Sequence, residues 1–346
     1  MLRPLDRPIP SPSELEDECI RLETKGLGSF GYVSSLMESL AAKTWRINKL
    51  KSLRNAVIPA HVYQRIEIID GVADFIGDSF KLAHLCSQTK SEMIVFCGVR
   101  FMAETAKIMN PVKRVFLPAS EAGCSLADSM TGEDVVKLKA LHPGAVAVCY
   151  INTTAEVKAQ CHAVVTSANA KTILKKLYDR YDKIIFVPDR LMANNLAKDL
   201  GKTIGKDMIA WEGTCIVHDQ FDASWVERYR REFPGVKILA HTECTPSLVS
   251  LVDFHGGTGD MLRYVDSTSA PSYMLITECG LGDLARTRFP GKTFVPMCRL
   301  CPYMKATDLD RIESVLLDPA KAEEIILNEE VRVQAAKSLQ VMFDLA

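Results

Sequence analysis

Three strand-like runs in this chain end on a polar residue at an almost constant interval, and that repeat constrains the fold more than any other feature. AVIPAHVY ends around His61, AVAVCYIN around Tyr150 and VKILAHTE around His241, at intervals of 89 and 91 residues. Each is followed by a segment that carries a small hydroxyl: ADFIGDS with Ser79, VVTSANA with Ser167 and DFHGGT with Thr258. A second strand type recurs in MIVFCGVRF, KIIFVPDRL and SYMLITECGL. A third opens on lysine and closes on cysteine, in KRVFLPASEAGC, KDMIAWEGTC and KTFVPMCRLC. The closing cysteines, Cys124, Cys215 and Cys301, lie 91 and 86 residues apart. Four landmarks in one order at one period predict three copies of an α/β unit of roughly 90 residues, too long for an ordinary solenoid repeat and suited to a small domain.

Short apolar runs alternating with amphipathic stretches predict βαβ units around mostly parallel sheets. Functional residues of such sheets gather beyond the carboxyl ends of the strands, where the landmark residues fall. The expected architecture is three αβα domains related by pseudo-threefold symmetry around one central site. Residues 1–52 read differently. Pro4, Pro8, Pro10 and Pro12 suggest an extended leader, and polar helix-like segments run to about Leu53.

Composition narrows the function classes. With 42 Lys+Arg against 43 Asp+Glu, the formal net charge is −1, which argues against a nucleic-acid binder that relies on a basic field. No run approaches 18 apolar residues, and no apolar stretch follows the first basic residues, so a cytoplasmic protein without a membrane span is expected. Eleven cysteines in 346 residues are too sparse for a disulfide scaffold, and the count is odd. Reduced thiols or a metal site are expected instead of a disulfide framework. Cys86, Cys97, Cys149 and Cys161 sit in apolar runs and read as inert core residues.

The three repeat-end cysteines allow several chemistries. Three thiolates could hold an iron–sulfur cluster with one iron left open, or a zinc ion with a water, or they could simply pack between domains. His61, Tyr63, His218, His241 and Glu243 are the candidate acid–base groups, since they fall beside landmarks of the repeat. Ser79, Ser167 and Thr258 could bind phosphate or carboxylate, or merely cap helices. No GxGxxG, P-loop, GxSxG or HExxH pattern is present, so those site classes are unsupported.

At these residues the chain resembles the quinolinate synthase family, through AHVYQ (60–64), VFCGVRFMAETAKI (95–108), LPASEAGCSLADS (117–129), YINTTAEVKA (150–159), TSANA (166–170), WEGTCIVHDQF (211–221), HTECTP (241–246) and CRLCPYMK (298–305). The resemblance implies an enzyme of NAD biosynthesis that condenses iminoaspartate with dihydroxyacetone phosphate, releasing phosphate and two waters. It implies a 4Fe–4S cluster on Cys124, Cys215 and Cys301 with one open iron, and leaves Cys298 outside the ligand set. Glu243, Tyr63, His61 and His241 are then the catalytic candidates. Substrate binding falls to His61, Ser79, Tyr150, Asn152, Ser167, His218, His241, Glu243 and Thr258. An aspartate oxidase or dehydrogenase is the implied functional partner. The implied domains are 53–130, completed by 302–346, then 131–215 and 216–301. A non-catalytic iron–sulfur sensor on the same scaffold is the alternative, and a zinc-dependent lyase a third.

Overall fold

The computed structural model describes residues 3–346. The chain divides into two compact units. One joins Met1–Ala122 to Pro302–Ile326, and the other joins Gly123–Cys301 to Leu327–Ala346.

In the first unit β1 (Ala56–Val57), β2 (Pro59–His61), β3 (Phe75–Gly77), β4 (Met93–Val95) and β5 (Arg114–Leu117) form parallel pairs. β1 and β2 act as one interrupted strand, because Ala60 bridges Cys97 just beyond β4. The order is therefore β3, β1/β2, β4, β5. The second unit contains β6 (Val146–Tyr150), β7 (Ala163–Val165), β8 (Ile184–Val187) and β9 (Met208–Ala210) in the order β7-β6-β8-β9. It also contains β10 (Lys237–His241), β11 (Phe254–Gly256) and β12 (Tyr273–Ile276) in the order β11-β10-β12. A bridge from Tyr273 to Phe294 stands where a fourth strand would be. The sequence repeat is thus a repeat of topology: in all three sheets the first strand lies between the second and the third. The strands are short and nearly all buried, as runs such as Ile184–Val187 demand when helices cover both faces.

The N-terminal segment is helical from Pro12–Thr24 and Ser35–Leu53. Ser11 and Glu14 close a capping box on the first of these helices. The second buries Met37, Leu40, Ala41, Thr44 and Ile47, one stripe at helical spacing. After Cys301 the chain returns to the first unit. Arg54 donates to the carbonyls of Leu316 and Leu317 at 2.7 Å each, and β13 (Glu323–Glu324) pairs antiparallel with β5.

Expectation and structure part at the C-terminus. The segment 302–346 does not complete the first domain as a whole. Its last helix, Glu329–Leu345, belongs to the second unit and lies against the helix Ala155–Gln160 and β7. Ala335, Ser338, Leu339 and Met342 form its buried face, and the Ser338 hydroxyl donates to the Lys158 carbonyl at 2.9 Å. No helix among the described residues is long and apolar enough to cross a membrane.

Candidate active site

Three sets of backbone hydrogen bonds place the landmark residues equivalently. The residue after each strand-end landmark donates to the end of the neighbouring strand: Val62 to Gly77 at 3.1 Å, Ile151 to Val165 at 2.8 Å, Thr242 to Gly256 at 3.2 Å. Ser79, Ser167 and Thr258 each follow two residues beyond those carbonyls. His61 and His241 share a further device, in which ring Nδ1 accepts the N–H of the residue two places on, Tyr63 at 3.2 Å and Glu243 at 3.3 Å. The third set fixes the cysteine loops. The first residue of the helix after β4, β8 or β12 donates to the carbonyl two places before each cysteine: Arg100 to Ala122 at 2.8 Å, Arg190 to Gly213 at 2.8 Å, Cys279 to Arg299 at 3.4 Å. Each cysteine also precedes by three residues a short 3₁₀ helix, at Ala127–Ser129, His218–Gln220 and Met304–Ala306.

Cys124, Cys215 and Cys301 all fall within the second unit, reduced and half-buried. Two of their loops are tied directly together. The Ser125 hydroxyl donates to Thr214 O and accepts from Ile216 N–H, both at 3.2 Å, and Trp211 Nε1 donates to Ser129 O at 3.1 Å. Gly213 permits this packing, because a Cβ there would stand 2.6 Å from Ser129 Oγ and 2.5 Å from Pro188 O. Burial pushes the Cys124 thiol up to about 12, against backbone N–H groups of Ala127 and Leu126 that favour the thiolate; nearby Glu243 and Cys301 add to the rise. Cys215 is raised for the same reasons, by burial first and then by Glu243 and Cys124.

Beside the thiols lies a buried polar network centred on Glu243. Its Oε1 accepts the Tyr150 hydroxyl at 2.6 Å, and its Oε2 lies 3.0 Å from His218 Nδ1. That same Nδ1 stands 3.3 Å from Cys215 Sγ, while Nε2 stands 2.9 Å from Thr277 Oγ1. With two acceptors facing Nδ1, the proton belongs there, and Nε2 accepts from the threonine hydroxyl. His241 stacks on His218 at 4.6 Å between ring centroids. Burial lowers His241 to about 4, opposed by Glu243 and assisted by His218. Its Nδ1 accepts a backbone N–H, so the 3.6 Å approach of Nδ1 to Glu243 Oε1 is not an ion pair. Burial alone would raise Glu243, but the histidines and the hydrogen bonds from His218 and Tyr150 outweigh it and hold the carboxyl below its ordinary range. The Asn195 amide donates to Thr242 O and Cys244 O at 2.8 Å each, which fixes the turn that presents Glu243.

Lys158 was not legible as a site residue. It is fully buried, and its ammonium donates to Ile151 O at 2.9 Å and to Thr153 O, holding the turn that bears Tyr150 and half-buried Asn152. Ser167 meets the start of the helix Thr258–Ser267 so closely that a Cβ on Gly257 would lie 2.6 Å from its Oγ. In the first unit, His61 and Tyr63 are buried with rings 4.7 Å apart, edge to face, and Ser79 begins the helix Ser79–Gln88 behind Asp78 as cap.

The cysteine reading needs one correction. Cys279 and Cys298 form a disulfide, where reduced thiols or a metal site were expected instead of a disulfide framework; the other nine cysteines are free. The two lie 19 residues apart on a helix start and a loop, and only folding brings them together. Cys86, Cys97, Cys149 and Cys161 are buried, as their apolar runs suggest.

Cys215, His218 and Glu243 offer donor atoms that all lie within 4.8 Å of one another, and the Cys124 thiol feels the charges of both Glu243 and Cys301. A thiol, an imidazole and a carboxylate this close together define an α/β protein with a group able to hold a metal ion. Residues 45–344 match the family described as quinolinate synthetase A protein, and the chain belongs to that family of enzymes. It is 42% identical over 296 residues to the quinolinate synthase of Xylella fastidiosa (strain Temecula1), covering 86% of this chain and 85% of that one. The quinolinate synthase of Sinorhizobium medicae (strain WSM419) is 41% identical over 285 residues, 80% of this chain and 78% of its own. That of Trichodesmium erythraeum (strain IMS101) is 40% identical over 307 residues, 87% and 93% respectively.

Proposed function

We propose that this chain is a quinolinate synthase, condensing iminoaspartate with dihydroxyacetone phosphate in NAD biosynthesis. The observation that carries the reading is the joint presence of Cys124, Cys215 and Cys301 with the Tyr150–Glu243–His218 network beside them. A sensor needs the thiols alone, so the network favours an enzyme.

The donor set fits an iron–sulfur cluster: three reduced, half-buried thiols, of which burial and nearby negative charge keep those of Cys124 and Cys215 protonated, and which iron would hold as thiolates. Cys124, Cys215 and Cys301 would hold a 4Fe–4S cluster, which supplies an electrophilic iron able to polarise carboxylate, hydroxyl or carbonyl oxygens. The rest of the chemistry falls to the chain. Glu243 is the general base of isomerisation and water loss, taking protons through Tyr150 or His218. His241 is neutral and accepts a backbone N–H at Nδ1, so Nε2–H is its donor toward substrate. Tyr63 serves proton transfer and His61 helps hold the triose phosphate. Asn152 contacts substrate beside Tyr150. Ser79, Ser167 and Thr258 bind phosphate or carboxylate oxygens, and the helix starts at Ser79 and Thr258 favour anions there. Burial excludes water from hydrolysis-prone imines. Repeat domains at 53–130, 131–215 and 216–301, and a cytoplasmic setting beside an aspartate oxidase or dehydrogenase, complete the reading.

The test is anaerobic purification, iron and sulfide analysis, then addition of iminoaspartate generated in place and dihydroxyacetone phosphate. About four irons per chain with quinolinate formed is the expected result. Iron without quinolinate would favour the sensor, and zinc without iron the zinc-dependent lyase.

A further inference from the structure

The third cysteine loop is held differently from the other two. In the first two, the helix-start N–H reaches the loop carbonyl at 2.8 Å; at Cys279 the same bond stretches to 3.4 Å. The Ser125 bridges tie the Cys124 and Cys215 loops to each other. Residues 295–300 lie outside regular structure, with Leu300 and Cys298 exposed.

Two other ties meet this loop from the start of the helix Cys279–Arg288. Glu278, the buried cap of that helix, accepts the Cys301 N–H on Oε1 at 3.3 Å and the Gly280 N–H on Oε2 at 2.7 Å. One residue on, Cys279 is covalently joined to Cys298, three residues before Cys301. The corresponding cap of the second repeat, Asp189, bonds only into its own helix, to Met192 N–H, and its Oδ2 is buried without a hydrogen-bond partner. The third repeat therefore adds a carboxylate that reaches a cysteine's own backbone, and a covalent link, where the common backbone tie is longest.

We propose that Glu278 and the Cys279–Cys298 disulfide form a clamp that positions Cys301. Both are positioning elements, neither a ligand. The proposal deepens the functional reading, and its purpose rests on Cys301 being a cluster ligand. The clamp holds the thiol in a loop that has no strand to fix it, so that Cys301 meets Cys124 and Cys215 at the spacing a shared group requires.

The experiment uses the full-length chain in its cluster-free form, alkylated with iodoacetamide and mapped by peptide mass. Glu278→Ala should raise the alkylation rate of Cys301 at least fivefold, with Cys124 and Cys215 within twofold of the unsubstituted chain. Glu278→Gln, whose amide oxygen still accepts the Cys301 N–H, should restore most of the protection. Cys298→Ser should likewise expose Cys301 selectively, and serves where Glu278→Ala folds poorly. On anaerobically loaded protein, both Glu278→Ala and Cys298→Ser should release iron to a chelator faster than the unsubstituted chain. An unchanged Cys301 rate in both variants, or an equal rise at all three cysteines, would overturn the clamp. Selective exposure of Cys301 in a chain that never takes up iron would uphold the clamp and sink the cluster reading instead.

Discussion

His241 is a histidine kept neutral by burial, and that has a measurable cost in acid. Unfolded, its ring protonates near 6.5; folded, only at about 4. Above 6.5 both states are neutral and the histidine imposes no penalty. As pH falls through the interval the unfolded chain binds the proton first, so the cluster-free protein loses stability, by about 2 kcal/mol at pH 5 and about 3 kcal/mol in full. Glu243, lowered from 4.5, works in the same direction only at the acid end of this window. Urea denaturation at pH 7 and pH 5 should therefore show a smaller loss for His241→Gln than for the unsubstituted chain; equal losses would mean that the ring is not buried neutral. Glu243→Gln separates chemistry from assembly. The amide can still accept the Tyr150 hydroxyl, so iron content should stay near that of the unsubstituted chain, while quinolinate formation should fall about 10²- to 10⁴-fold, the usual worth of a proton-transfer group. Turnover within tenfold of normal would remove Glu243 from the chemistry.

At the scale of elements, the sequence was legible wherever it repeats. Strand-end positions of His61, Tyr150 and His241, hydroxyls two residues past the neighbouring strand, and cysteines ahead of short 3₁₀ turns all follow from the landmarks, because a parallel ladder forces equivalent residues into equivalent places. What does not repeat was invisible. Ser125 lies in the motif around Cys124, yet nothing in a string of letters says that its hydroxyl crosses to Thr214 and Ile216, about ninety residues on. Glu278 and Lys158 were passed over for the same reason: a charge at a strand end or on a short helix reads as solvated until the fold buries it. The Ser125 link carries its own prediction. Ser125→Ala leaves a carbonyl and an N–H without their hydroxyl partner, which should cost about 1–3 kcal/mol in thermal or urea unfolding. The Cys215 thiol should also alkylate faster, because its loop loses the brace. A stability change under about 0.5 kcal/mol would show that the two loops hold without it.

For the whole molecule, the last helix is where sequence and structure part, and the reason is general. An amphipathic stretch such as EVRVQAAKSLQVMF declares which face it buries but not against what, so Glu329–Leu345 could be expected on either unit until the fold places it on the second. Its docking bears on the site through one chain of contacts. Ser338 holds the Lys158 carbonyl, and the Lys158 ammonium holds the Ile151 and Thr153 carbonyls in the turn after Tyr150. Leu339 is completely buried in that interface, so Leu339→Ala should destabilise the second unit by about 2–5 kcal/mol. Hydrogen exchange then reads where the loss is felt. Peptides spanning 146–160 should take up deuterium faster, while peptides spanning 56–66 in the first unit should keep their native rates. If both regions loosen together, the helix supports the molecule as one cooperative body. If neither does, the turn that presents Tyr150 draws its rigidity from Lys158 alone, and Lys158→Met rather than Leu339→Ala should free it.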